Sequence, residues 1–340
     1  MKFGPVPLDE AESKILGHNV AGPDGKRLLR KGKALDAADI EALRALGRRT
    51  VYVAELEPGD VDENRAAERI GNAALGSGLR LSGAATGRIN AIATVLGLLR
   101  VDGRLTALNG IEGITLATMQ QNAVVRPAQT AATVKVIPYA VPETEVVRAE
   151  KLCREGPALL KVDALPKRRV GLVLSGSPSV REALTESFSP LVERIEALGS
   201  EVAERDYVTL EEERGEEALA ETLRRQRSTG VELILLAGET AIMDRHDITP
   251  RAVERAGGAI ATVGAPVDPG NLLMVAYIED TPVLGAPGCA RSRKTNVVDW
   301  VLPRLLAGDR LTREDVIALG AGGLLEDVPE RPLPRSRIRG

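Results

Sequence analysis

The chain's 340 residues allow two domains on length alone, and 44% apolar with 27% charged residues is the balance of a globular protein. Aromatic side chains make up 2%, so the cores must be built from Ala, Val, Leu and Ile, and the scarcity argues against a platform that stacks single-stranded bases. A net charge of −3 without a basic block argues against a phosphate-backbone footprint, so nucleic acid is not an expected partner.

In chain order, residues 1–10 read as extended and lack the apolar run of a signal peptide. Residues 37–47 have the composition of an amphipathic helix closed by Gly47. A short strand over 50–54 and an acidic turn over 55–64 lead into another helix, giving an α+β segment over residues 1–71. Residues 72–166 form a mixed, β-rich segment and linker, in which 113–118 and 130–138 read as strands broken by Gly, Asn and Pro. Residues 90–99 fit helix or strand.

From residue 167 the pattern sharpens. Residues 169–174, 201–208 and 231–237 read as strands, separated by helices over 179–198 and 213–227. A helix over 250–257, strands over 259–263, 272–278 and 282–285, and a last helix over 292–306 carrying Trp300 complete a unit over 167–310. The fold class is therefore α/β. Alternation of this length implies a C-terminal parallel sheet covered on both faces, a three-layer αβα domain behind an N-terminal α+β, β-rich segment. Residues 311–340 are a C-terminal extension whose Pro- and Arg-rich end, from 326, is expected to be disordered. Only Cys153, Cys289 and two histidines are present, with no CxxC, so neither a zinc site nor a disulfide framework is expected. No run approaches the roughly 20 apolar residues needed to cross a bilayer, and the expected location is the cytoplasm.

Four loops at predicted strand ends carry the chemistry. Ser175-Gly-Ser-Pro178 offers hydroxyls and backbone donors. After the third strand, Gly238-Glu-Thr240 runs to Asp244 and on to Asp247-Ile-Thr-Pro250, where a strand hands over to a helix. Open α/β sheets bind ligands at such ends, and helix N-termini suit phosphates. Residues 264–271 include Asp268, Gly270 and Asn271, and residues 285–294 set Gly288 beside Arg291, Ser292, Arg293 and Lys294 at the expected start of the last helix. Gly-rich loops, a basic helix opening and a carboxylate pair suit a phosphorylated ligand with a metal or metal oxyanion. Asp244 and Asp247 are the candidate catalytic residues and the candidate metal ligands. Taken singly, each loop also reads as a turn built from turn residues, with Asp247 a helix cap and Asp244 solvated. Cys289, without a partner at metal-ligand spacing, reads as neither redox nor zinc cysteine.

These motifs carry a resemblance. Residues 169–306 resemble the molybdopterin-binding domain of molybdenum-cofactor biosynthesis proteins, the MoeA and MogA class. Ser175-Gly176 is similar to the family's Ser/Thr-Gly pair at the end of the first strand. Gly238-Glu-Thr240 and Asp247-Ile-Thr-Pro250 resemble the two ends of its Gly-Gly-Thr-Gly to Asp-Val-Thr-Pro segment. Pro269-Gly-Asn271 and Pro287-Gly-Cys289 are similar to its two Pro-Gly loops, in the same order and spacing. Residues 3–12 also look like the start of MoeA-like chains. The sequence departs from the pattern where Glu239 and Ala241 replace glycines and where Asn271 stands for a lysine.

The resemblance implies binding of molybdopterin at Ser175, Gly176, Gly238, Thr240, Asp268, Gly270, Asn271, Gly288, Arg291 and Ser292. It further implies Mg2+ or molybdate oriented by Asp244 or Asp247, and a role in cofactor synthesis (molybdate insertion or adenylyl transfer) or in its delivery. A molybdoenzyme or a pterin nucleotidyltransferase would be the protein partner. Two other readings stay open: a metal-dependent nucleotide pyrophosphatase of the CinA type, and a non-enzymatic carrier or regulatory module. The segment before residue 142, poor in candidate catalytic residues, suits a carrier or a dimerisation role, and a homo-oligomer is expected.

Overall fold

The first helix forms as Ala37–Ala45, set by a reciprocal cap: Asp36 accepts the Asp39 N–H at 2.9 Å and Asp39 accepts the Asp36 N–H at 3.1 Å. It buries Ile40 and Leu43 with Leu16, Val51 and Val53 of a three-stranded antiparallel sheet, in which Thr50–Glu55 lies between Lys2–Pro7 and Ile15–Leu16. The computed structural model describes residues 1–210 and 212–325, which divide into two compact units, Met1–Asp163 and a second beginning at Ala164. The Pro- and Arg-rich end expected to be disordered lies outside the described residues.

The acidic turn over 55–64 contains a short strand, Asp60–Asp62, paired with Ala140–Pro142. Asp62 then caps Glu63–Ala74, accepting from the Asn64 and Arg65 N–H groups at 3.1 Å each. The segment boundary expected near residue 71 falls inside this helix. Its Ala66, Ala67, Ile70 and Ala74 share one core with an antiparallel sheet ordered Ile114–Thr118, Thr130–Val136, Arg88–Ala93, Leu79–Leu81. Residues 90–99 resolve as parts of two strands, Arg88–Ala93 and Gly97–Val101; Ile89, Ala91 and Ala93 are buried in the alternation of period two. A helix not anticipated from the sequence, Glu143–Arg154, closes this core with Val146, Ala149 and Cys153, spaced at i, i+3 and i+7.

In the second unit six strands form one sheet in the order Glu201–Thr209, Arg169–Gly176, Leu233–Gly238, Thr281–Gly285, Met274–Ile278, Gly258–Val263. The first four run parallel. Met274–Ile278 is antiparallel to both its neighbours, so the sheet is mixed rather than wholly parallel. The cause is local: only Glu279 and Asp280 separate Met274–Ile278 from Thr281–Gly285, which permits a hairpin but no crossover. Leu233–Gly238 is buried almost throughout, as a parallel strand covered on both faces requires. Ile234 and Leu236 pack with Leu219, Leu223, Ala252 and Val253 of the helices Glu212–Ser228 and Ile248–Arg255. Leu233 and Leu235 face the other way, toward the layer that includes Val298–Ala307. The architecture is three-layer αβα.

Two expected helices are corrected. Residues 179–198 form two helices, Arg181–Ser187 and Ser189–Ala197, because Pro190 has no N–H to give the carbonyl of Glu186. The last helix begins at Val298, not at 292. The Ser292 and Lys294 carbonyls that would start it instead accept from the Arg194 guanidinium at 2.8 and 3.0 Å, as the Ala290 carbonyl before them does at 3.2 Å. No helix among the described residues is long and apolar enough to cross a membrane.

Candidate functional site at the carboxyl edge of the sheet

Strand register decides which loops meet. Gly176 lies opposite Thr209, Ser175 opposite Gly238, Leu236 opposite Gly285, Gly285 opposite Met274, and Met274 opposite Val263. The antiparallel strand thus brings its leading end, not its trailing end, to the carboxyl edge of the parallel set. All four chemistry-bearing loops therefore sit at one edge of the sheet.

At its centre the strand ends touch. The Ser175 carbonyl accepts the Glu239 N–H at 2.8 Å, and a Cβ on Gly238 would stand 2.8 Å from the Ser175 hydroxyl. A larger residue at 238 would force the Ser175 hydroxyl to move. Thr240 is exposed beside them. Arg291 crosses from the fourth loop, donating to the Gly238 carbonyl at 2.8 Å while its guanidinium lies 4.8 Å over the Phe188 ring. Ser175, Gly176, Gly238 and Arg291 thus form one contiguous group.

Glu239, an acid where the family pattern has glycine, joins this group. Its carboxylate accepts the Ser177 N–H at 2.7 Å and the Ser177 hydroxyl at 3.0 Å. The Tyr207 hydroxyl donates to the Ser177 carbonyl at 2.6 Å, and Arg181 lies 5.3 Å over the Tyr207 ring. Burial first and the Glu239 charge second push the Tyr207 phenol up, with Arg181 opposing. A Cβ on Gly176 would stand 2.9 Å from Glu239 Cβ and 3.0 Å from both its Oε2 and the Tyr207 hydroxyl. The acidic side chain thus already occupies backbone and hydroxyl donors that would otherwise face an anion.

Asp244 and Asp247 turn into their own loop. Asp247 sits at the first turn of Ile248–Arg255 but does not cap it with its side chain. Instead its Oδ2 accepts the Met243 and Asp244 N–H groups at 2.6 and 3.0 Å. Asp244 Oδ1 accepts the His246 N–H at 2.8 Å. The expected helix cap is therefore a loop clasp. Among the described residues no group of three or more His, Cys, Asp or Glu side chains is placed to hold a metal ion. One oxygen of each carboxylate is engaged by backbone, and the other, Asp244 Oδ2 and Asp247 Oδ1, accepts none of these bonds.

The other two loops join each other. Asp268 precedes a cis peptide to Pro269, and its backbone pairs with Gly323 and Leu325 at 2.8 Å each. Gly270 adopts φ +140°, where a Cβ would stand 2.4 Å from Val297 Cγ1. The exposed Asn271 accepts the Ala265 N–H through its carbonyl at 2.9 Å. Gly288 faces open space. The Ser292 hydroxyl accepts the Lys294 N–H at 3.1 Å, so it shapes its turn. Arg293, expected at a helix opening, is ion-paired with Glu193 in a loop. The buried Asn296 donates to the Cys289 and Lys294 carbonyls at 3.3 and 3.1 Å and accepts the Val298 N–H at 3.0 Å. Arg194 and Asn296 organise this loop, and no spacing in the sequence announces either. Cys289 is partly buried and unpaired, and burial pushes its thiol up.

Residues 5–55 match the family model of a domain of unknown function (DUF8806). Comparison with curated proteins finds no match. Among solved structures the chain is similar to a molybdenum cofactor biosynthesis protein from Pyrococcus furiosus, at 15% identity and TM-score 0.24, covering 93% of this chain and 65% of that one. It is similar to the molybdopterin biosynthesis MoeA protein from Pyrococcus horikosii at 13% identity and TM-score 0.30, covering 90% of this chain and 75% of that one. It is also similar to the molybdopterin biosynthesis Mog protein from Mycobacterium ulcerans at 15% identity and TM-score 0.27, covering 40% of this chain and 92% of that one. The chain spans 65% of the length of the Pyrococcus furiosus protein.

Proposed function

We propose that the unit beginning at Ala164 binds a phosphorylated pterin of the molybdopterin class and serves in the synthesis or delivery of molybdenum cofactor. One observation carries the reading: four loops whose residues follow the MoeA and MogA order lie at a single sheet edge, with the Ser175, Gly238 and Arg291 loops in direct contact. Backbone donors and glycine-permitted close approach are what a phosphate-bearing ligand needs. Molybdate insertion, adenylyl transfer and delivery are all compatible with this edge, because Asp244 and Asp247 each keep one carboxylate oxygen outside the bonds to their own loop.

Glu239 sets the affinity in this reading. Its charge sits on the donors the ligand phosphate would use, so removing it should tighten binding by about tenfold, a modest fraction of the repulsion between two charges near a surface. Wild type and Glu239→Gly are purified from a host that makes molybdopterin, and the co-purifying small molecules are identified by mass spectrometry. A pterin phosphate is expected with both, in higher yield with Glu239→Gly. No pterin with either protein overturns the proposal.

A further inference from the structure

A cavity of about 910 Å3 is formed wholly by residues of the Met1–Asp163 unit. Its volume is that of a site for one small molecule. Phe3, His18 and Tyr139 line it, and Tyr52 completes an aromatic cluster: the Phe3 ring centroid lies 5.6 Å from His18, 6.0 Å from Tyr52 and 6.5 Å from Tyr139. The whole chain holds two Phe, four Tyr, one Trp and two His, so four of its nine rings gather here. The cluster is not a core, because Phe3 and Tyr52 are 46% and 47% exposed. It is nevertheless held in place. The Tyr139 hydroxyl donates to the Gly17 carbonyl at 2.8 Å, and a Cβ on Gly17 would stand 2.8 Å from the Phe3 ring.

The wall beside these rings is basic. Lys33 and Lys135 are engaged by Asp39 and Glu63. Arg30, Lys31 and Arg88 also line the cavity, and among the described residues none of the three has a carboxylate partner. Cationic heads left unpaired in a chain of net charge −3 mark a place that attracts anions, and guanidinium groups match phosphate geometry. Aromatic faces beside them suit a flat ring.

We propose that this cavity binds a small molecule in which a heteroaromatic ring carries one or more phosphates, the chemistry shared by nucleotides and pterin phosphates. The ring lies against Phe3 and Tyr139, and the phosphates are met by Arg30, Lys31 and Arg88. The site is independent of the sheet-edge loops, since no residue is common to both.

The test is calorimetric titration of the full chain with ADP, GDP, UDP and a pterin monophosphate, and with adenosine and pyrophosphate as the separated halves. At least one ring phosphate is expected to bind with Kd of about 1–100 μM, each half at least about tenfold more weakly, and binding should weaken as salt rises. The double variant Arg30→Gln with Arg88→Gln should weaken binding at least about tenfold at unchanged melting temperature, and Phe3→Leu should erase the preference for ring over pyrophosphate. Arg291→Gln, which alters only the sheet-edge site, should leave this binding unchanged. No binding by any of the four probes at 1 mM overturns the proposal. So does binding that survives the double variant, binding lost in Arg291→Gln, or a single-stranded oligonucleotide that outcompetes every mononucleotide.

Discussion

Cys153 shows how much one buried atom changes the response of the protein to pH. It lies 1% exposed on the inner face of Glu143–Arg154, and burial pushes its thiol up to about 11, with Arg104 and Arg154 opposing. In the unfolded chain the thiol ionises near 9, so above that pH the unfolded state binds fewer protons and stability falls until the folded thiol also ionises. Denaturant titration at pH 8 and pH 11 should therefore give a loss of roughly 1–2 kcal/mol that Cys153→Ala removes from the pH dependence, even though that variant is less stable throughout. A Cys153→Ala protein with the same alkaline loss would sink the assignment. At this scale the sequence supplies residue types but not partners. Glu239 was visible as an acid where a ligand phosphate was expected, yet only the fold turns its carboxylate onto Ser177. Asp247 stood at a helix start and was expected to cap it, but two nearer N–H groups at Met243 and Asp244 captured its oxygen first.

Among elements, the pair Glu63–Ala74 and Glu143–Arg154 depends on one cation. Arg69 donates to both Glu143 oxygens at 2.8 Å and to Glu150 at 3.1 and 2.8 Å, bridging the two helices over their shared apolar face. Arg69 holds the Glu150 carboxyl below the usual glutamate range, against the effect of burial. Because the folded value is depressed, the contribution is present above the ordinary glutamate pKa and disappears as pH falls through the folded one. Arg69→Met should cost about 1 kcal/mol at pH 7, between the values of exposed and buried pairs, and the gap to wild type should narrow toward pH 3 in chemical denaturation. A gap independent of pH would assign the effect to packing of the arginine stem instead. The second of these helices carried a readable i, i+3, i+7 stripe but was masked by its many charges. The long helix expected over 179–198 failed for the opposite reason, since a proline near its middle carried more weight than the apolar period around it.

At the scale of the molecule, the second unit owns its core. Val173, Ile234, Leu236, Leu223 and Val253 pack together from strands and helices that all lie after residue 164. A fragment starting at Ala164 should fold by itself, unfolding cooperatively in urea with mixed helix and strand content by circular dichroism. A fragment without a sigmoidal transition would show that the unit needs the preceding chain. The α/β pattern was legible because strands buried on both faces become unbroken apolar runs. Strand direction is not written in such runs: the alternating pattern points to a parallel sheet throughout, whereas Met274–Ile278 lies antiparallel in a mixed one. The smaller antiparallel sheets of the first unit, with strands of two to seven residues, leave weaker patterns.

Arg194 has a consequence that reaches beyond this chain. One guanidinium, placed by a helix about a hundred residues earlier, accepts responsibility for three carbonyls of the 290–294 loop and for Asp299 as well. The shape of that loop is therefore inherited from a distant stretch of the polypeptide and is not free to drift alone. In a set of descendants, position 194 should vary together with positions 296 and 299. A lineage that lost the arginine would be released toward the longer final helix that local propensity already favours, and would have to present Gly288 and Arg291 from a different backbone.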